Sequence, residues 1–208
     1  MPDLDFAVES VEIVPYAVAP LLNFQVRITD ADNAGRVESV LLDCQIRLET
    51  VRRSYSDEEK AHLFDLFGEP ERWGQTLKSM LWTHANVIVP PFSGTTTVAL
   101  PVPCSFDFNV AATKYFAGLE TGEAPLVFLF SGTCFYRDAD GFLQCQRISW
   151  EKEAEFRLPV AVWRELIEHY YPNSAWLNLR RDVFERLRAY KTGHFLPTWE
   201  QTLEELLK

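Results

Sequence analysis

The run Pro125-Leu126-Val127-Phe128-Leu129-Phe130 decides the fold class of this chain. All six residues are apolar over the length of a β-strand, and a strand that is apolar on both faces is typical of the centre of a sheet. The chain continues through Cys134 and Tyr136 to the turn sequence Asp138-Ala139-Asp140-Gly141 and returns through Cys145. We therefore predict a β-hairpin at the centre of a β-rich core.

Two upstream segments alternate apolar and polar residues with period two, as strands with one buried face do. Their predicted inward residues are Leu22, Phe24, Val26 and Ile28 in the first segment, and Val40, Leu42, Cys44, Ile46 and Leu48 in the second. A further alternation from Phe6 to Val14, with a slip near Ser10, predicts a strand that carries a β-bulge. The first half of the chain is therefore predicted to be mostly strand.

Two later segments, Met80–Val89 and Thr95–Val102, also have strand character and are joined by Pro90-Pro91-Phe92-Ser93-Gly94. Pro and Gly exclude regular structure from this connection, and we predict that the two strands form a hairpin. The segment Phe106–Phe116 alternates at first and then suits a helical turn. For it we predict a strand followed by a short helix that ends before Gly118.

A helical insertion is predicted at about residues 56–78. Ser56-Asp57-Glu58-Glu59 is a capping box, with acids in the first turn where the helix dipole favours them. The helix is expected to run to Phe67, and Gly68 and Pro70 end it. The aromatic content of the insertion favours a cap that is docked on the core.

The last fifty residues are predicted to be helical. One helix follows Pro159, from Val160 to His169, and a second spans Trp176–Lys191 with apolar residues at spacings of three and four. A capping box at Thr198-Trp199-Glu200-Gln201 opens a third. The predicted fold is therefore mainly β (α+β): an antiparallel β-sandwich over residues 1–158, with C-terminal amphipathic helices over 159–208 packed on it. The sequence leaves open whether these helices bury their apolar stripe on this sheet or on a partner.

The charge balance argues against nucleic acid and membrane partners. The chain has 20 Lys and Arg against 30 Asp and Glu, for a formal net charge of -10, which repels phosphate backbones and anionic lipids. No apolar run is long enough to span a bilayer, and Met1-Pro2-Asp3-Leu4-Asp5 carries acids where a signal peptide carries Lys or Arg. We expect a cytoplasmic protein.

Signatures of catalysis are missing from the sequence. The four histidines are scattered, no Gly-rich phosphate loop occurs, and Phe130-Ser131-Gly132-Thr133 is not a GxSxG elbow. Gly132 indicates a bulge or a close backbone approach instead. Glu165 and His169 lie one helical turn apart, a spacing that is far commoner on solvated helix faces than in acid-base pairs. We predict a protein that is not an enzyme and has no cofactor.

The four cysteines form no CxxC pair, and Cys134 and Cys145 lie in the two arms of the predicted hairpin. If Arg137 faces Phe142, Cys134 lies opposite Cys145. If Asp140-Gly141 is a two-residue turn, Cys134 faces Arg147. Only the first register allows a bridge between the two thiols, and we keep a metal or redox role for them as the weaker alternative.

The helix Trp176–Lys191 has more basic than acidic residues on an otherwise acidic protein. Arg181 and Arg188 could recognise an acidic patch on a partner, since arginine provides forked donors. Trp176 and Trp199 are candidates for exposed aromatic anchors at the same interface. A solvated helix face is the competing interpretation of the charges.

The chain resembles a family of uncharacterised bacterial proteins, chiefly actinobacterial, that are often encoded beside [NiFe]-hydrogenase genes. The segments that carry the resemblance are Leu66-Phe67-Gly68-Glu69-Pro70 with Trp73-Gly74, Phe130-Ser131-Gly132-Thr133, and Leu196-Pro197-Thr198-Trp199-Glu200-Gln201. The resemblance covers nearly the whole chain and implies no catalytic residues. It implies genomic association with a metalloenzyme.

Two functional hypotheses follow. The first is a non-enzymatic accessory or assembly factor that binds a protein partner, which the resemblance suggests is a hydrogenase subunit or maturation factor. The second is a small-molecule or metal-binding protein that uses a cavity between the sheets, with Cys134 and Cys145 as candidate ligands. The sequence leaves open whether the chain forms homo-oligomers.

Overall fold

A computed structural model of the chain describes residues 2–32, 35–104, 110–138, 140–174, 177 and 179–208. These residues form a mainly β sandwich of two antiparallel sheets with several helices, which confirms the predicted fold class. The strands are β1 (Leu4–Ile13), β2 (Leu21–Asp30), β3 (Arg36–Leu48), β4 (Met80–Val89), β5 (Phe92–Ser93), β6 (Thr95–Pro103), β7 (Glu123–Arg137), β8 (Leu143–Arg147) and β9 (Glu153–Pro159). The helices are α1 (Asp57–His62), α2 (Phe64–Phe67), α3 (Trp73–Thr76), α4 (Val110–Gly118), α5 (Val160–Tyr170), α6 (Arg181–Gly193) and α7 (Trp199–Leu206).

The two sheets differ in size. The smaller sheet has the order β1-β2-β6, and the larger has the order β4-β3-β7 with both β8 and β9 on the far edge of β7 and the short β5 on β3. The apolar run at 125–130 belongs to β7 and lies inside the larger sheet, as predicted, and Phe128 and Phe130 are fully buried. Phe24 of β2 packs on Phe128 edge to face, with ring centroids 5.0 Å apart, and so joins the two sheets.

The predicted inward rows of β2 and β3 are confirmed, because all nine of their residues are buried. The bulge in β1 is confirmed as well: the register with β2 shifts between Val8 and Ser10. Alternation predicts these features because burial of one face of a strand imposes period two on the sequence.

The predicted hairpin of Met80–Val89 with Thr95–Val102 is wrong. β4 pairs with β3, where Ala85 faces Cys44, while β6 pairs with β2 in the other sheet, where Val98 faces Val26. The connection at 90–94 therefore crosses between the sheets. The alternation of apolar and polar residues within a strand identifies its buried face. It does not identify the strand with which it pairs.

The β7–β8 hairpin exists, but its register matches neither alternative predicted from the sequence. Arg137 faces Leu143, and Cys134 consequently faces Gln146. The Asp138 carboxylate explains the wider turn, because its Oδ1 accepts hydrogen bonds from the backbone N–H of Asp140 at 3.1 Å and of Phe142 at 2.9 Å. A side chain that binds turn amides in this way stabilises a longer loop than the two-residue turn.

The helical insertion packs on the core. The capping box is confirmed in both directions between Ser56 and Glu59. The helix expected to reach Phe67 is interrupted at Leu63, which separates α1 from α2. Leu63, Phe67 and Trp73 are buried in the core, and the Trp73 Nε1–H donates to the Gly68 carbonyl at 2.9 Å.

The chain divides into two compact units, Met1–Pro172 and Asn173–Lys208. Helix α5 belongs to the first of these units. Trp163 of α5 stacks on Phe116 of α4 with ring centroids 4.3 Å apart. The strand predicted to begin at Phe106 falls on residues that lie outside the described ranges, and α4 begins directly after them at Val110.

None of the described helices is long and apolar enough to cross a membrane.

Candidate functional site: the C-terminal helical pair

The second unit presents a face of α6 that combines basic and aromatic side chains. Arg181, Phe184, Arg188 and Lys191 follow one another at helical spacings of three, four and three residues. Side chains at these spacings lie on the same side of an α-helix. The predicted residues Arg181 and Arg188 are therefore neighbours of an aromatic side chain that the sequence analysis did not single out.

Lys191 organises the turn between the two helices. Its Nζ donates to the carbonyl of Leu196 at 2.7 Å and to that of Pro197 at 2.9 Å. The turn also places Phe195 at a φ of 54°, in the left-handed region that few residues other than Gly adopt. The two lysine hydrogen bonds hold this turn in place and thereby fix the start of α7.

Trp199, at the first position of α7, is the centre of the face. Its ring lies 5.3 Å from that of Phe184 and 5.6 Å from the Lys191 Nζ, a cation–π distance. Trp199 is 36% exposed and Phe184 is 38% exposed, so both rings are held by neighbours and still reach solvent. We call Arg181, Phe184, Arg188, Lys191 and Trp199 the aromatic–basic face.

The apolar side chains of the two helices are at most partly buried. In the described part of 173–208, no apolar residue is among the buried ones, and the buried residue there is Thr202, whose Oγ1 donates to the Thr198 carbonyl at 2.8 Å. Leu206 is half exposed, and Phe195 and Leu207 are almost fully exposed. Helices of 13 and 8 residues whose apolar side chains are at most partly buried have little stability in isolation.

Helix α6 keeps part of its positive charge available. Arg188 forms an ion pair with Glu185 of the same helix at 2.5 Å, and Arg180 pairs with Asp182 at 3.0 Å. Both pairs are solvent-exposed, so they hold the side chains only weakly. The face can therefore exchange these contacts for carboxylates of a partner, which arginine binds with its forked donors.

The structure brings together three of the four predicted contact residues, Arg181, Arg188 and Trp199, in one unit. The fourth, Trp176, lies outside the described residues. Lys191 was counted in the basic excess of this helix, whereas Phe184 was missed, although its spacing from Arg181 places it on the same helical face. The helical spacing in the sequence indicates this shared face when the aromatic and basic residues of α6 are considered together.

The structure does not bring Cys134 and Cys145 together. In the observed register they point to opposite faces of the β7–β8 hairpin, and Cys134 is buried whereas Cys145 is exposed. Burial and the nearby charge of Asp30 raise the pKa of Cys134 to about 11, which disfavours the thiolate that would bind a metal. No group of three or more potential metal ligands occurs within the described ranges.

Of the cavities in the first unit, one of about 530 Å³ lies between α4 and α5 and not between the two sheets. The stacked rings of Phe116 and Trp163 are part of its lining, and Arg164, Glu165 and Glu168 are the charged residues there. A second cavity, beside Cys134, measures about 70 Å³, far below the size of a drug-sized ligand site. A pocket for a small molecule is thus better placed at α4–α5 than at Cys134.

Fold and site together define a mainly β sandwich protein with a C-terminal helical pair that exposes aromatic and basic side chains. The chain belongs to the family of unknown function DUF6084, whose sequence model matches residues 1–208. A comparison with curated proteins finds no significant match. Among solved structures, the chain is similar to a Bordetella pertussis protein assigned as ApaA, with 14% identity over 76% of this chain and 93% of that one. The TM-score of 0.24 is too low to support any argument from that structure.

Proposed function

We propose that this protein is a non-enzymatic accessory or assembly factor that binds a protein partner through the aromatic–basic face. One observation carries the proposal: Trp199 and Phe184 are packed together at 5.3 Å yet remain about one third exposed, beside the cations of α6. Aromatic and arginine side chains are the residues that most often dominate binding energy at protein interfaces.

The shallow burial of the apolar side chains in the described part of the helical pair supports the same proposal. Helices of 13 and 8 residues are marginal in water when their apolar side chains are only partly buried. A partner that covers the exposed rings and leucines supplies the burial that the unit lacks. The partner we expect has apolar side chains at the centre of its contact surface and carboxylates around them.

A hydrogenase subunit or maturation factor is the partner that we propose to test first, on the strength of the family resemblance. Affinity purification of the tagged protein from its native cells, followed by mass spectrometry, tests this choice. Recovery of hydrogenase subunits or maturation factors supports it. Recovery of the protein alone contradicts it.

The contact surface itself is tested with purified components by titration calorimetry. Arg188→Glu reverses a charge on the aromatic–basic face, whereas Arg186→Glu makes the same change on another side of α6. We expect Arg188→Glu to weaken binding at least about tenfold, equal to about 1.4 kcal/mol, and Arg186→Glu to have little effect. Equal losses in both variants would show that general charge, and not this face, drives binding.

A second candidate function rests on the cavity between α4 and α5. Its volume of about 530 Å³ and the stacked rings of Phe116 and Trp163 suit an apolar small molecule. We therefore keep ligand binding as the alternative function, but at α4–α5 and not between the two sheets. An apolar fluorescent probe that quenches tryptophan emission in the wild type, and not in Trp163→Phe, would support this candidate. Equal quenching in both proteins would exclude it.

A further inference from the structure

A larger cavity of the first unit lies beside the helical insertion. It measures about 870 Å³, which is within the size range of small-molecule sites. Its lining comes from segment 52–56 between β3 and α1, from Glu59 of α1, from segment 121–123 at the entry to β7, and from Arg157 of β9. Most of these residues are exposed, so the cavity is open to solvent.

The charged residues of this cavity are three arginines, Arg52, Arg53 and Arg157, and two glutamates, Glu59 and Glu123. The lining is therefore positive by one charge, whereas the whole chain has a formal net charge of -10. A positively charged cavity on an acidic chain concentrates anions locally. We call this site the arginine cavity.

Arg53 is the buried member of the three arginines, with 9% of its side chain exposed. Its Nη atoms donate to the Glu59 carboxylate and to the backbone carbonyls of Thr121 and Glu123. A guanidinium has five N–H groups, so these hydrogen bonds do not use all of them. The Nε–H is buried and has no acceptor among the described residues. A buried donor without an acceptor is costly, and more so in a charged group.

Gly122 leaves one side of the Arg53 guanidinium uncovered. A Cβ built on Gly122 would lie 3.6 Å from Nη1 of Arg53, so any larger residue would place its side chain against the cation. The φ of Gly122 is +75°, which favours glycine for a second reason. The backbone at this position therefore keeps the guanidinium accessible beside the cavity.

The two exposed arginines are available to a ligand. Arg157 lies on β9 opposite Pro125, and its side chain has no hydrogen bond or ion pair within the ranges that the structure describes. Arg52 forms an ion pair with Glu155, but both side chains are more than half exposed, so the pair holds the arginine only weakly. The exposed hydroxyl of Ser54 is a further donor in the lining.

We propose that the arginine cavity binds a small organic anion through a carboxylate or phosphate group. The planar fork of arginine donors matches the paired oxygens of either group. Arg52 and Arg157 hold the anion from the solvent side, and an oxygen of the anion supplies the acceptor that the Arg53 Nε–H lacks. The volume is much larger than an inorganic ion needs, so we expect an anion with an organic part.

Titration calorimetry of the whole chain at low salt tests the proposal with two probes, citrate for carboxylates and glycerol phosphate for phosphate groups. We expect at least one of them to bind with a Kd of about 1 mM or tighter. Added sodium chloride should weaken the binding, because salt screens the attraction between charges. Glycerol, the uncharged counterpart of glycerol phosphate, should not bind. The probe that binds more tightly identifies the group that the cavity recognises.

Two substitutions in the lining should change the affinity in opposite directions. Arg157→Gln removes an unpaired donor and should weaken binding at least about fivefold. Glu123→Gln removes a carboxylate that repels the anion and should tighten binding. Both side chains are exposed, so neither variant should change the unfolding temperature in the absence of a probe.

Arg137→Gln is the matched control. Arg137 is an exposed arginine at the last position of β7, whereas the cavity lies at the first, and it is not part of the lining. Its substitution removes the same charge and should leave the affinity unchanged. Proton–nitrogen NMR gives a second readout, because the Nε–H resonance of Arg53 should shift when the probe binds.

A chain that binds neither probe at concentrations up to about 10 mM would overturn the proposal. Equal losses of affinity in Arg157→Gln and Arg137→Gln would also overturn it, since they would show attraction to general charge and not to this cavity. None of the lining residues belongs to the aromatic–basic face. Partner binding is measured separately with Arg188→Glu, so this proposal and the proposed function can fail independently.

Discussion

Arg53 and Glu59 form an ion pair that is almost completely buried, with side-chain exposures of 9% and 4%. The arginine also donates from Nη1 to the Glu123 carbonyl and from Nη2 to the Thr121 carbonyl, each at 2.7 Å. Glu59 accepts the backbone N–H of Glu120 at 2.9 Å. This pair therefore ties the helical insertion to the chain segment that enters β7.

We predict that Glu59→Ala destabilises the protein by about 3–5 kcal/mol, because it leaves the buried Arg53 guanidinium without its counter-charge. The free energy of unfolding in urea measures the effect. Arg52 and Glu155 provide a matched comparison, since they form an ion pair with both side chains more than half exposed. Glu155→Ala should cost less than about 1 kcal/mol. Equal costs for the two substitutions would contradict the prediction.

Gly132 of β7 should tolerate no side chain. Its φ is +131°, and a Cβ built there would lie 2.0 Å from the Leu41 carbonyl oxygen. Gly35 has a similar φ of +127° with no atom within 4 Å of the same position. We predict that Gly132→Ala costs about 3 kcal/mol or more, and Gly35→Ala only about 1–2 kcal/mol from backbone strain. Thermal unfolding of both variants separates the steric contribution from the conformational one.

The close approach at Gly132 was predicted from the sequence, and so were the inward rows of β2 and β3. These features follow from local chemistry, namely the period of a one-sided strand and the place of glycine in a strand interior. The strand that pairs with β4 could not be predicted. The apolar pattern of β4 and the prolines that follow it are compatible with a place in either sheet. The prediction of the β7–β8 register at Cys134 was wrong for a different reason. The Asp138 side chain accepts hydrogen bonds from turn amides and so stabilises a longer turn than the two-residue one.

The candidate site could be proposed only in part from the sequence. The basic excess of the predicted helix pointed to Arg181 and Arg188, and Trp199 was one of the tryptophans that could not all be placed in the core. The contact of Trp199 with Phe184 depends on the turn that Lys191 stabilises, where Phe195 has a positive φ. Nothing in the local sequence indicates that conformation, because Phe is not a residue that favours it.

Buried thiols should make the protein less stable at alkaline pH. Burial raises the pKa of Cys44 to about 12, whereas an exposed thiol titrates near about 8.5. Above the lower value the unfolded state releases a proton that the native state keeps, so stability falls as the pH rises. For Cys44 the free energy of unfolding is expected to fall by up to about 1.4 kcal/mol per pH unit.

Urea unfolding under reducing conditions at pH 8 and pH 10 measures this dependence. We expect Cys44→Ala to be less stable than the wild type at pH 8, because it leaves a small cavity, and to lose less stability between the two pH values. Cys145→Ala is the control, since Cys145 is exposed, and it should show the wild-type dependence. A wild-type slope in Cys44→Ala would show that this thiol does not contribute.

Removal of residues 173–208 should leave a folded sandwich. The buried apolar residues of the described chain lie between Leu4 and Leu166, so the shortened chain keeps all of them. We predict a cooperative unfolding transition with a near-wild-type midpoint by circular dichroism, and loss of partner binding. A peptide of residues 173–208 should be mostly unfolded alone, because its described apolar side chains are at most partly buried, and should gain helix when the partner is added. A shortened chain that fails to fold would instead show that the helical pair supports the sandwich.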